Sequence, residues 1–231
     1  NWQKAVASLE NYQSRYPVGR HIPQSDFYMA EAYRGLGRKE QAVDFYTKVL
    51  ESDDDSFKEV AALGAARLST EVENYAEALD FYRGLAKIAK LDQNKHVANI
   101  GMMESAYAAK DYEAAVEYSD VVRDDQASTD DERLQAVYIK AKSKLGTSDR
   151  AAAMNLFKSI SSKTTTPQGA EAAYMLIQDS FDKGEFEDVE TKVFALAESG
   201  SNQNYWLAKS FILLGDSYVE RGENRQAKAT F

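Results

Sequence analysis

Cysteine is missing from all 231 residues of the chain, histidine occurs only twice and proline three times. Without thiols there is no disulfide, no thiolate nucleophile and no cysteine-held zinc; the absence also fits an oxidising compartment. His21 and His96 cannot pair at i, i+4, so the helical zinc motif is excluded. As a general base, either would need a nucleophile and an orienting carboxylate in reach. The pattern supplies neither, and a surface or capping role is expected for both. No apolar run approaches a membrane span. Clustered basic residues are missing too. The formal charge is −9, and the only dense clusters are acidic, whereas nucleic-acid binding relies on grouped Lys and Arg.

Metal and phosphate motifs are equally thin. Asp53-Asp54-Asp55 lacks the alternating oxygen ligands, the turn glycine and the distal glutamate of a calcium loop. It reads as a helix end running into the N-cap of the next helix. Asp130-Asp131-Glu132 sits where a helix should start, where carboxylates suit the dipole. Gly35-x-Gly37 lacks both the third glycine and the preceding strand of a dinucleotide loop. Thr164-Thr165-Thr166-Pro167 offers hydroxyls for glycosylation or phosphorylation, but reads as a linker ended by proline. Trp2, Tyr75 and Phe186 are expected in the core. No metal, cofactor or catalytic residue is predicted.

What the chain has in quantity is helix-forming residues: Ala, Glu, Lys, Leu and Tyr recur throughout. Laying the sequence against itself reveals a repeat. Its clearest copy is the last: Phe211, Leu214, Gly215 and Tyr218, then Gly222 at a turn, then Ala227 and Phe231. Earlier copies fall in phase. Met29, Ala30, Tyr33, Gly37, Ala42 and Tyr46 form one, and Tyr75, Ala78 and Tyr82 close the next. Met102, Met103, Tyr112, Ala115 and Val122 form a third. Tyr138, Ala141, Gly146, Ala153, Phe157 and Ile160 form a fourth, and Leu176, Gly184, Phe186, Val189, Val193 and Leu196 a fifth. The turn positions are placed at Gly37, Glu73, Lys110, Gly146, Gly184 and Gly222, with Glu73 and Lys110 departing from glycine. A small residue in each second helix permits close approach, and a large one four positions later fills the space beside it.

This spacing resembles the tetratricopeptide repeat (TPR) family. The resemblance implies an all-α, right-handed solenoid of antiparallel helix pairs with about six repeats. Residues 1–20 would be the second helix of a truncated repeat. Repeats would follow at 22–54, 57–90, 95–126, 131–163, 169–200 and 205–231 in a single array. The chain opens on Asn1 without an initiator methionine and ends inside a second helix. A segment of a longer array is therefore expected, and a missing export signal carries no information.

The resemblance also implies a protein or peptide partner held along a concave groove lined by first helices, and no catalysis. Helical phase maps that groove to Phe27, Glu31 and Arg34, then Ile100, Glu104 and Tyr107. It continues through Ala136, Lys140 and Ser143, then Tyr174, Gln178 and Phe181, and finally Ile212, Asp216 and Val219. Tyr107, Tyr174 and Phe181 are the aromatic anchors to test; packing between adjacent first helices is the equal alternative. The Lys/Asn pairs that clamp chaperone C-termini in one subclass are absent from these positions. Ala5-x3-Leu9-x2-Tyr12-x3-Tyr16-Pro17-x-Gly19 resembles Gram-negative envelope TPR proteins, among them outer-membrane assembly lipoproteins and the cell-division coordinator of the Tol–Pal system. Tyr205-Trp206-Leu207-Ala208-Lys209 resembles large TPR proteins of the Bacteroidetes. These stretches imply a periplasmic or outer-membrane-associated scaffold, with a cytoplasmic site still open. A helical protein capturing a glycan or other small molecule is the second reading, and a non-catalytic part of a larger enzyme the third. Oligomeric state is not set by these patterns.

Overall fold

The computed structural model describes residues 1–230. Those residues form thirteen α-helices and no strand. They are α1 (Trp2–Arg15), α2 (Ile22–Gly35), α3 (Lys39–Glu51), α4 (Lys58–Glu71), α5 (Tyr75–Ile88), α6 (Asp92–Ala108), α7 (Tyr112–Asp124), α8 (Asp130–Gly146), α9 (Arg150–Ile160), α10 (Pro167–Asp182), α11 (Phe186–Glu198), α12 (Asn204–Glu220) and α13 (Asn224–Thr230). The chain is an all-α helical repeat protein. It divides into two compact units, Asn1–Ala127 and Ser128 onward. Within each unit, consecutive helices pack on one another, since no single pair can bury its apolar faces alone.

The turn inside each pair is built one way six times. Gly37, Glu73, Lys110, Ser148, Gly184 and Gly222 all take positive φ, about every 37 residues. The next residue's N–H then reaches back to the carbonyl five residues earlier: Arg38 to Tyr33, Asn74 to Ser69, Asp111 to Ala106, Asp149 to Lys144, Glu185 to Ser180 and Glu223 to Tyr218. That is a Schellman closure, which satisfies carbonyls the helix end would otherwise orphan. In five of the six pairs the same residue is also the N-cap of the second helix. Asp111 and Asp149 make the cap with their side chains, accepting from Ala114 N and Ala152 N.

The fourth turn is at Ser148, because Gly146 is the last residue of α8 and not the left-handed one. The first-helix register of that repeat therefore shifts by two.

The interior follows the small-then-large pattern. Ala42, Ala78, Ala115, Ala153 and Val189 are all fully buried, and Tyr46, Tyr82, Phe157 and Val193 occupy the position four later. Ser119 breaks the rule: a buried serine bonding Ala115 O stands where a large residue was expected. Phe231 lies outside the described residues.

Other placements differ from the sequence reading. Trp2 is half exposed, with its indole against Gly35 of α2. His96 is not a surface residue: its Nδ1 lies 2.8 Å from Asp125 Oδ2 in a mostly enclosed pair. Asp54 caps a turn by accepting from Ser56 N, and Phe57 then precedes α4 as an N-cap without a side-chain hydrogen bond. Thr129 and Glu132 form a reciprocal capping box, and Thr166 caps α10 ahead of Pro167.

Candidate functional site

In unit 1, the first helices of the pairs are α2, α4 and α6. Two tyrosines from the second helices pass between them. Tyr46 of α3 lies fully buried against Gly64 of α4, where a Cβ would come within 2.7 Å of the ring. Its hydroxyl donates to Glu31 of α2. Burial, and then this carboxylate, push the Tyr46 phenol well above its ordinary range. Glu31 also accepts from Arg34 at 2.5 Å. A cavity of about 260 Å³ opens here between α2 and α4, lined by Glu31, Arg34, Tyr46, Leu63, Gly64 and Arg67.

The arrangement repeats one step on. Tyr82 of α5 lies against Gly101 of α6, where a Cβ would fall 2.4 Å from the ring. Burial raises the Tyr82 phenol, the Thr70 hydroxyl and Arg67 pull it down, and Glu104 pushes it up again. Arg67 and Glu104 thus flank the same phenol from neighbouring first helices. Both are exposed, and neither makes a hydrogen bond or ion pair with any described residue. Glu104 is open to solvent yet crowded by protein, and the water it loses pushes its carboxyl above the usual range.

The predicted groove residues divide accordingly. Phe27 is half-buried, its ring stacked on Phe57 with centroids 4.8 Å apart, and serves packing. Glu31 and Arg34 line the cavity, with Arg34 exposed. Glu104 is exposed, and Tyr107 is half-buried beside Tyr112 at 6.2 Å.

In unit 2, the corrected register puts Tyr138, Lys142 and Leu145 at the positions first assigned to Ala136, Lys140 and Ser143. Ala136 and Ser143 are fully buried, and Lys140 is half-buried off that register. Lys142 is held by Glu171 at 2.7 Å, and Tyr138 donates to the same carboxylate at 2.6 Å. Tyr174 is buried, tilted against Trp206 at 5.3 Å with the Lys209 ammonium 4.6 Å from its ring. Its hydroxyl donates to Gln178, which donates to Asp182 at 2.8 Å. Phe181 is half-buried, edge-on to Phe186. Asp216 is half-buried between exposed Ile212 and Val219. The polar groups of α8 and α10 on this register are therefore largely spent on one another.

Sequence reasoning missed Arg67, Thr70, Tyr46 and Tyr82 as members of the face. The available signal was the pair Gly64 and Gly101, each nine residues before a turn and each inside a helix, where glycine costs stability unless a close approach needs it.

Residues 24–56 match the family model of the tetratricopeptide repeat. No curated protein matches the chain. Among solved structures, a tetratricopeptide repeat protein from Parabacteroides merdae ATCC 43184 aligns over 99% of this chain and 84% of its own, at a TM-score of 0.51 and 15% identity. BtubC (BKLC) from P. vanneervenii aligns over 99% of this chain and 85% of its own, but its TM-score is 0.35 at 13% identity. The first likeness is one of fold; the second is too loose to carry an argument.

Proposed function

We propose that this chain is a non-catalytic scaffold that holds a partner protein through an extended segment laid across the first helices of unit 1, and that it works in a bacterial envelope. The observation that carries the binding reading is the α2–α4–α6 face, where an open cavity is lined by Arg67, an exposed charge without an ion partner among the described residues, with the equally unpaired Glu104 on the next first helix. Repeats of this family generally mediate contacts between proteins. The helix-lined face offers side chains of both signs beside apolar Leu63 and Ile100, a mixture suited to a peptide. Zero cysteines and the Tyr16-Pro17-x-Gly19 segment support the periplasmic or outer-membrane-associated site.

Selection from a random peptide library on the purified chain tests the binding reading, with Leu63→Asp and Ile100→Asp as variants. Selected peptides should bind the parent and lose affinity for both variants, while circular dichroism shows the fold retained. Selection of no peptide, or of peptides indifferent to both changes, refutes the reading. Fractionation of source cells with an antibody to the chain tests the compartment, and recovery from the cytosol would remove the envelope part.

A further inference from the structure

Three charged residues occupy one register on the first helices of unit 1. Glu31, Arg67 and Glu104 each lie six residues before the left-handed turn of their pair, at Gly37, Glu73 and Lys110. Their signs alternate along α2, α4 and α6. The fold treats them differently. Glu31 is balanced by Arg34 and the Tyr46 hydroxyl. Arg67 and Glu104 have no such neighbours, although both act on the one Tyr82 phenol. The Tyr82 ring fills the gap over Gly101 and cannot be pushed aside without displacing buried packing.

Glu104 is crowded by protein and Arg67 has no ion partner among the described residues, so each gains from a ligand group of opposite sign. A ligand that satisfies both residues at once must carry an anionic and a cationic group. Adjacent packed helices lie roughly 8–10 Å apart. An extended chain with three residues per turn advances about 3.1 Å per residue, so its side chains i and i+3 share one face about 9 Å apart. Two ligand charges reaching α4 and α6 are then separated by about three residues.

We infer that the α4–α6 part of this face reads a dipolar peptide segment: an Asp or Glu received by Arg67, and a Lys or Arg three residues away received by Glu104. This rests on the peptide-holding reading above and adds its specificity. The same register in unit 2 does not repeat the opposed pair, because Lys142 is held by Glu171 and Gln178 by Tyr174 and Asp182, which leaves Asp216 as a single charge with no opposite neighbour on the register.

The test uses the whole chain and four labelled peptides of about twelve residues, read by fluorescence anisotropy at low salt. They share one backbone and carry Asp-x-x-Lys, Asp-x-x-Asp, Lys-x-x-Lys or Asn-x-x-Gln at the centre. The parent should bind the dipolar peptide about tenfold tighter than the other three. Arg67→Glu should switch the preference to Lys-x-x-Lys, and Glu104→Lys should switch it to Asp-x-x-Asp. Both changes are at exposed sites, and a switch of preference cannot come from misfolding. Equal affinity for all four peptides, or variants that keep the parental ranking, overturns the inference. If library-selected peptides still need Leu63 and Ile100 while charge is ignored, the dipolar specificity falls and the scaffold reading stands. If no peptide engages the face, both fall.

Discussion

Replacing Gly101 by alanine adds one methyl group at a point where the fold has no room for it. The new Cβ would lie 2.4 Å from carbons of the Tyr82 ring, against a comfortable carbon–carbon separation of about 3.5–4.0 Å. The ring must therefore move by about an ångström. It is 7% exposed, so any movement disturbs the packing between α5 and α6. Overpacking of this kind costs roughly 1–3 kcal/mol, while alanine in a helix interior returns roughly 0.5–1 kcal/mol. The net expectation is a loss of about 1 kcal/mol. Gly84, in the interior of α5, supplies the control, because a Cβ there meets nothing within 4 Å. Gly84→Ala should keep the propensity gain and stabilise by about 0.5–1 kcal/mol. Urea denaturation with unchanged m-value separates the two. In a Tyr82→Ala background the obstruction is gone and Gly101→Ala should become stabilising, a coupling of about 1–3 kcal/mol. If Gly101→Ala stabilises as Gly84→Ala does, or behaves identically in both backgrounds, the close approach of ring and helix is refuted.

Three further outcomes follow from other parts of the chain. Ser148 holds φ 63°, a region that costs a residue with a Cβ about 1 kcal/mol. Ser148→Gly should raise the midpoint of urea unfolding by a comparable amount, whereas Gly146→Ala, inside α8, should not lower it. Asp179 is buried, which alone would raise its carboxyl, but hydrogen bonds from Lys183 and Arg150 outweigh that and hold it low. Its contribution is therefore present above the unfolded value near about 3.9 and is lost as pH falls below it. Asp179→Asn should destabilise at pH 7 by about 1–3 kcal/mol, and thermal melts should show the gap closing on acidification. Asp26 has the opposite sign: burial raises its carboxyl against the hydrogen bond from Gln13 and the charge of Lys48. Its ionisation costs stability at neutral pH, so Asp26→Asn should melt above the parent at pH 7 and level with it below about pH 4.

The architecture was legible because a repeat states its geometry several times over. Gly37, Gly184 and Gly222 mark the left-handed turn outright, and their spacing carries the reader across Glu73 and Lys110, where residue type gives no hint. The same reasoning failed at Gly146, where the nearest glycine lies two residues before the left-handed position. Nothing in Thr147-Ser148-Asp149 advertises which residue takes positive φ, and backbone closure decides it: Asp149 N must reach Lys144 O. That one slip carried Ala136 and Ser143 onto a face from which they are buried. His96 was misread for a different reason. Its partner Asp125 lies 29 residues away, a separation set by the stacking of α6 and α7 and invisible to local pattern.

The candidate face was half legible, and the missing half has a physical cause. Reading positions off a helical wheel finds side chains that start on the first helices, such as Glu31 and Glu104. It would have found Arg67 and Thr70 as well, but α4 carries no aromatic residue to mark the register; groups that arrive from behind it cannot find. Tyr46 and Tyr82 belong by sequence to the second helices, and only the missing Cβ atoms at Gly64 and Gly101 let their rings reach the neighbouring first helix. Beyond Gly101 the device stops: the equivalent positions nine residues before Ser148, Gly184 and Gly222 are Ile139, Met175 and Leu213. Unit 2 sets Ile139, Met175 and Leu213 at the glycine positions, and Phe157 and Val193, which carry no hydroxyl, where unit 1 has tyrosine. It also closes its polar groups on one another through Glu171 and Gln178. The proposed peptide contact therefore rests on unit 1, where Arg67 and Glu104 stand with opposite sign on neighbouring first helices and no described residue balances either.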